Sequence, residues 1–355
     1  MEIMGLIKVL EKFRGKKVLI TGHTGFKGSW LSYLLDNHGA ITLGYSLKPN
    51  TEPSLYEELE FSENHKSVIS DINDFEKIKN VVNQFKPEFI FHLAAQPLVL
   101  ESYENPKYTF ETNFNGTLNL LEVIRIANLK TTAILITTDK VYENDDENTA
   151  FSENDRIGGK DPYSSSKAVC ELLINSYQHS FFKASETKVA SARAGNVIGG
   201  GDWSNDRLIP DIIRFLFENK SIEIRNPLST RPWQHVLEPL HGYLLLALKL
   251  NEKPNLFSGA WNFGPSEGDI KSVQEIIEII KNQGFKKEFN YGDKLKFKEA
   301  KYLALKIEKA KTILDWKPKW NSETSIEKTL NWYKGYYNGT GVSQLIETDI
   351  KNYIK

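Results

Sequence analysis

Short apolar runs and helix-length amphipathic stretches alternate along the first half of the chain. Lys16 to Thr21 is an apolar run rich in β-formers that ends in a glycine-rich turn, and a helical pattern begins at Lys27 and continues through Leu31 to His38. A second strand ends near Tyr45, followed by the loop SLKPNTEPSLYEEL; Val68 to Ser70 is a third short strand and Phe75 to Phe85 is helical. Phe89 to Leu93 is a buried strand, Thr109 to Asn128 a long helix, Ala133 to Thr138 the next strand, Pro162 to Phe182 a helix, and Val189 to Arg193 closes the series. Strands separated by helix-length segments predict parallel βαβ units, hence an α/β chain with a Rossmann-type doubly wound parallel sheet. Ligands of such a sheet bind at the carboxyl ends of its strands.

The second half is less regular, with many turns and aromatics in GGGDW, RNPLSTRPWQH, WNFGPSEGD and DWKPKW. Helices at Ser272 to Asn282 and Ser322 to Tyr336 predict a smaller, mixed C-terminal lobe closing over the sheet. Residues 1–195 are expected to form the dinucleotide-binding domain and 196–355 mainly the substrate lobe, with about 229–262 returning to the first. The start, MEIMGLIKVLEKF, reads as an amphipathic lead-in helix, and the tail from Gly339 to Lys355 as loosely held.

Gly22, Gly25 and Gly28 form the pattern G-x-x-G-x-x-G between the first strand and its helix. Gly22 lets the backbone turn, Gly25 removes a side chain where a pyrophosphate must approach, and Gly28 lets the helix pack closely on the sheet. The free amides at the helix start then bind phosphate. Thr24 and Phe26, inside the turn, join the glycines as cofactor contacts. Asp71 and Ile72, after the third strand, suit an adenine amino group and ring, while a helix-capping role belongs better to Asn73 or Asp74. Leu93, Ala94, Ala95 and Gln96 offer small residues where backbone passes close to a nucleotide. No acid ends the second strand, where one would grip the ribose of NAD; Ser46 and Lys48 stand there, so charge leaves NAD and NADP open.

The candidate chemistry lies in Thr138, Asp139, Lys140, Tyr163 and Lys167. Y-x-x-x-K occurs at Tyr103/Lys107, Tyr163/Lys167 and Tyr302/Lys306, and context separates the three. Pro106 interrupts the first as a helix, and the third lies outside the βαβ region. The middle one follows Asp161-Pro162, a cap and first-turn pair, so Tyr163 and Lys167 share a helix face. Such a lysine lowers the phenol pKa and lets Tyr163 serve as a base on a sugar hydroxyl. Asp139 and Lys140 elsewhere would read as a solvated ion pair; at a strand end beside a nucleotide cradle they read as catalytic. Arg231 suits a diphosphate, Asn196 a donor to the same phosphates, and Asn113 either an active-site water or another helix.

Composition narrows the rest. The formal net charge of −1 gives no global attraction to nucleic acid or anionic lipid, and the most apolar window, Tyr243 to Leu250, contains Lys249 and falls short of the ~18 apolar residues of a membrane span. A cytoplasmic enzyme is expected. Cys170 is the one cysteine, so an internal disulfide is excluded, and the seven histidines form no compact ligand pair, so no metal is expected. His23 reads as structural and Cys170 as a small packing residue.

The strings TGHTGFKGSW, SLKPNTEPSLYEEL, HLAAQPLV, TTDKVYEN, DPYSSSKA, RAGNVIGGGDW and STRPWQHVLEPL together resemble the CDP-glucose 4,6-dehydratase family of extended short-chain dehydrogenases/reductases, from about Gly15 to Tyr336. The resemblance implies NAD as cofactor, a nucleotide sugar as substrate and a homodimer built on the helices Thr109 to Asn128 and Pro162 to Phe182. It further implies oxidation at C4 with Tyr163 as base, assisted by Lys167 and Thr138, then loss of the C5 proton to Lys140 and of the C6 hydroxyl protonated by Asp139. Gln96, Asn196 and Arg231 would hold the substrate, and the product would enter deoxysugar biosynthesis for surface polysaccharide. A sugar-nucleotide 4-epimerase would share Tyr163 and Lys167 but has no need of Asp139 and Lys140; a non-catalytic dinucleotide-binding regulator would be expected to have lost the Thr138/Tyr163/Lys167 set.

Overall fold

The computed structural model describes residues 4–145, 149–218, 220–224, 226–285, 287–292 and 302–355. The lead-in forms helix α1 (Leu6–Glu11), and strand β1 (Lys17–Thr21), helix α2 (Phe26–Asn37) and strand β2 (Ile41–Ser46) follow. Next come β3 (His65–Ile69), α3 (Phe75–Phe85), β4 (Phe89–His92), α4 (Gly116–Ile126), β5 (Thr132–Ile136), α5 (Pro162–Tyr177) and β6 (Lys188–Ala194). After α6 (Leu208–Glu218) and α7 (Leu237–Glu252), β7 (Gly259–Phe263) returns to the sheet, and α8 (Val273–Asn282), α9 (Ser322–Tyr337) and α10 (Val342–Ile354) complete the chain. The seven strands run β7-β6-β5-β4-β1-β2-β3, every pair parallel. This is the doubly wound architecture expected.

Both faces of the sheet are buried, which is why its strands read as continuous apolar runs. Val18 and Ile20 of β1 join Trp30, Leu34, Leu240 and Leu244 in one core, whereas Leu19 joins Ile78, Val82, Leu120 and Ile124 in the other. The strand's alternation of faces thus separates the two layers of helices. Asp74 caps α3 by accepting from the Lys77 amide, which leaves Asp71 for the cleft.

Three segments differ from the sequence expectation. The long helix of 109–128 is broken: Pro106–Phe110 is α-helical, Glu111–Asn115 widens into a π-turn, and only then does α4 begin. The helix from Pro162 likewise ends in a π-turn, Gln178–Phe182. The tail is not loose but forms α10, with Leu345, Ile346, Ile350 and Tyr353 buried, because its apolar residues recur at helical spacing and find a groove. The Tyr353 hydroxyl donates to the buried Glu238 carboxylate at 2.8 Å.

Candidate active site

Two adjoining cavities open at the carboxyl ends of the strands. Gly22, Thr24, Gly25, Phe26 and Gly28 line the first from one side. Asp71 and Ile72 after β3, and Leu93, Ala94 and Ala95 after β4, line it from the other. Two glycines of the turn leave no room for a side chain: Gly22 has φ +74° and a Cβ there would sit 2.6 Å from the Ala94 nitrogen, while one on Gly28 would sit 2.0 Å from the Gly22 carbonyl oxygen. Helix α2 starts at Gly25 with no side-chain cap, so its first amides remain available to an anion. The Thr24 hydroxyl donates to the Leu47 carbonyl at 2.9 Å, and Asp71 is steadied by the Asn73 amide at 2.9 Å. Backbone amides at a glycine turn, a carboxylate and a small-residue strand end fit a dinucleotide.

Thr138, Asp139, Lys140 and Tyr163 line the second cavity together with Asn196 and Arg231. The first three sit just past the end of β5, Asp139 and Lys140 on the 3₁₀ turn Asp139–Val141 and Thr138 as its N-cap. Tyr163 stands in the first turn of α5, whose cap is Asp161 accepting from the Ser164 amide at 2.9 Å. Burial pushes the Tyr163 phenol up to about 12, with the Thr138 hydroxyl beside it acting in the opposite direction. Lys167, one helical turn behind, is buried and donates to the Ile136 carbonyl at 3.3 Å; burial lowers its pKa, and the charges of Cys170 and Glu171 oppose that. Asn196 has φ +45°, and its buried side-chain oxygen has no hydrogen-bond partner among the described residues. Arg231 donates to the Thr230 carbonyl at 2.8 Å.

Asp139 is fully buried: its Oδ1 accepts from the Thr138 hydroxyl at 3.0 Å and lies 3.6 Å from the Lys140 ammonium, while its Oδ2 has no hydrogen-bond partner among the described residues. Gly195 is the floor beneath it, since a Cβ there would fall 1.6 Å from Oδ2. Gly195→Ala therefore has to displace this carboxylate, and a fall in turnover of about 10²-fold is expected for a displacement on the order of 1 Å. Steady-state product formation measures it; a wild-type rate would show that the Asp139 position is unimportant.

Of the two readings open for Asn113, the geometry favours the second, a contact to another helix: its amide bridges the Gln96 backbone, accepting at 2.9 Å and donating at 3.1 Å, to the Ser166 hydroxyl on α5 at 2.8 Å. Gln96 lines the first cavity, its amide donating to Thr109 at 2.8 Å and accepting from the Leu98 amide at 2.6 Å, so it braces that loop. His23 is structural, bonded to Ser67 at 2.7 Å and pushed down to about 3 by burial.

Lys27 and Arg207 line both cavities and were missed. Burial, with Arg207 and Lys167 nearby, lowers Lys27 to about 7, and Arg207 pairs with Asp202 at 3.2 Å. A lysine in the middle of a phosphate turn, and an arginine at the start of the helix after GGGDW, were the available signals. Of the tryptophans, Trp261 and Trp316 are core, whereas Trp203 borders the first cavity and Trp233 the second. Among the described residues no three His, Cys, Asp or Glu side chains gather as metal ligands, and no helix is long and apolar enough to cross a membrane.

A doubly wound parallel sheet with a glycine turn after β1 and a Tyr-x-x-x-Lys helix after β5 defines an extended short-chain dehydrogenase/reductase. The family model described as GDP-mannose 4,6 dehydratase matches residues 19–329. A CDP-glucose 4,6-dehydratase of Salmonella typhimurium is 44% identical over 96% of this chain and 97% of its own. Among solved structures, an epimerase from Methanothermobacter thermautotrophicus superposes with a TM-score of 0.82 at 24% identity, covering 97% of both chains. The dTDP-glucose 4,6-dehydratase of Bacillus anthracis, in complex with NAD, superposes with a TM-score of 0.75 at 23% identity, over 91% of this chain and 98% of that one. The chain belongs to the sugar-nucleotide 4,6-dehydratase family of extended short-chain dehydrogenases/reductases.

Proposed function

We propose that the protein converts CDP-glucose to CDP-4-keto-6-deoxyglucose and water, with NAD in the first cavity, for deoxysugar and surface-polysaccharide synthesis in the cytoplasm. The observation that carries this reading is that an acid and an amine, Asp139 and Lys140, face the same cavity as Tyr163. A 4-epimerase needs only Tyr163 and Lys167. The glycine turn and the amides of α2 would hold the cofactor's diphosphate, Asp71 and Ile72 its adenine, and Tyr163 and Lys167 its nicotinamide ribose. When bound there, NAD would supply a hydride acceptor and donor. Tyr163 takes the proton of the C4 hydroxyl, with Thr138 steadying the phenolate. The 4-ketone acidifies C5, Lys140 takes that proton, and Asp139 protonates the departing C6 hydroxyl. Arg231 and Asn196 grip the diphosphate, and residues 196–355 serve mainly the substrate. Incubating the pure protein with CDP-, GDP-, UDP- and dTDP-glucose tests both base and reaction. Loss of the mass of one water from CDP-glucose alone is expected; a different preferred nucleotide, or an isomer of unchanged mass, would contradict the proposal.

The same reading includes a homodimer. Leu172 on α5, 60% exposed, with Phe181 and Ile126 also exposed, supports an apolar contact between two copies. Light scattering should give twice the chain mass for the wild type and a single-chain mass for Leu172→Asp; a monomeric wild type would refute the dimer.

A further inference from the structure

We infer that Tyr142 and Arg193 are positioning residues for the elimination step: they anchor the far end of the turn that carries Asp139 and Lys140, and their loss slows elimination more than oxidation. The inference rests on the dehydratase reading. The turn is tethered at both ends to a single buried ion pair. On the near side, the Thr137 hydroxyl donates to Glu171 Oε1. On the far side, Arg193 Nη1 donates to the Tyr142 hydroxyl at 2.7 Å, and that hydroxyl donates onward to Asn262 Oδ1 at 2.7 Å. Arg193 Nη2 meets Glu171 Oε2 at 2.8 Å, and the Ser191 hydroxyl donates to the same oxygen at 2.7 Å. The guanidinium fork therefore joins the Thr137 tether to the Tyr142 tether, with the catalytic turn slung between.

Tyr142 has little freedom other than this. It is 2% exposed, and the Phe151 ring stacks on it at 4.9 Å and within 5° of parallel. Burial raises its pKa, so the hydroxyl stays protonated and able to donate to Asn262.

The two halves of the chemistry depend on this network unequally. Tyr163, Lys167 and Glu171 follow one another at four-residue intervals on a single face of α5, and the 16-residue backbone ladder of that helix holds Tyr163 and Lys167 without help from Tyr142. Asp139 and Lys140 sit on a three-residue 3₁₀ turn held through the segment just beyond it, where the Gly158 amide donates to the Val141 carbonyl and the Glu143 amide to the Arg156 carbonyl, both at 2.9 Å, and where Tyr142 is the side chain bound to Arg193. Apolar replacements of a buried ion pair are often neutral or stabilising, so stability alone does not account for this one; a geometric role does.

The test uses Tyr142→Phe, which deletes one hydroxyl, and Arg193→Lys, which keeps the charge opposite Glu171 but cannot fork to two partners. In the NAD-loaded enzyme given CDP-glucose, both variants are expected to lose about 10- to 100-fold in dehydration, as for a misplaced catalytic group. Single-turnover C4 oxidation, followed by reduced-nicotinamide absorbance, should stay near the wild-type rate while CDP-4-ketoglucose accumulates. Thermal melts check folding, and the two variants back each other if one is unstable. Equal loss in both steps, or loss in neither, overturns the inference. A wild-type protein that failed to dehydrate CDP-glucose would instead overturn the functional reading.

Discussion

Tyr163→Phe is expected to lower CDP-glucose turnover by about 10² to 10⁴, the usual contribution of a positioned base, while nucleotide-sugar binding stays near wild type. The substitution keeps the ring that fills the wall of the cavity and removes only the hydroxyl beside Thr138. The base works in its ionised form, and burial holds the phenol up at about 12 in the ligand-free site. The ionised fraction therefore falls as pH is lowered, so C4 oxidation should rise with pH, with the Thr138 hydroxyl and the Arg207 charge opposing the upward push of burial. The variant should lack that limb. Rapid-mix kinetics over a pH series measures both features, and a variant within a few-fold of wild type would remove Tyr163 from the role of base.

Lys140→Met is the second large effect. It keeps the length of the side chain and deletes the amine 3.6 Å from Asp139 Oδ1. Because Tyr163 and Lys167 are untouched, the 4-ketone should still form, whereas dehydration should fall by about 10² to 10⁴ for want of its base. In deuterated solvent, exchange at C5 should fall with it. Normal dehydration with normal deuterium entry at C5 would shift the role to another group.

The strand and helix order was legible because a sheet buried on both faces writes itself as apolar runs, as in Phe89 to His92, and because glycine turns and Asp-Pro caps mark its joints. The glycine turn and Thr138, Asp139 and Lys140 were read from their place at strand ends, and Tyr163 and Lys167 from the Asp-Pro start of their helix. What was not legible depended on packing. Nothing in the run from Thr109 announces the π-turn at Glu111–Asn115, and the burial of α10 requires a groove formed by distant segments such as Glu238. Gln96 and Asn113 are polar residues near the cleft; only the structure shows the Gln96 amide bonded to Leu98 and Thr109 and the Asn113 amide to the Gln96 backbone and Ser166. Lys27 and Arg207 were hidden in motifs already read for another purpose. The Glu171–Arg193 pair joins positions from different elements and leaves no trace at any sequence spacing.

CDP-glucose labelled with deuterium at C4 tests the central claim most directly. A dehydratase that keeps and returns the hydride within one turnover delivers a 4-keto-6-deoxy product carrying the label at C6, seen by mass and by NMR. Label retained at C4 in an isomeric sugar, or lost to solvent with no 6-deoxy product, would contradict the account.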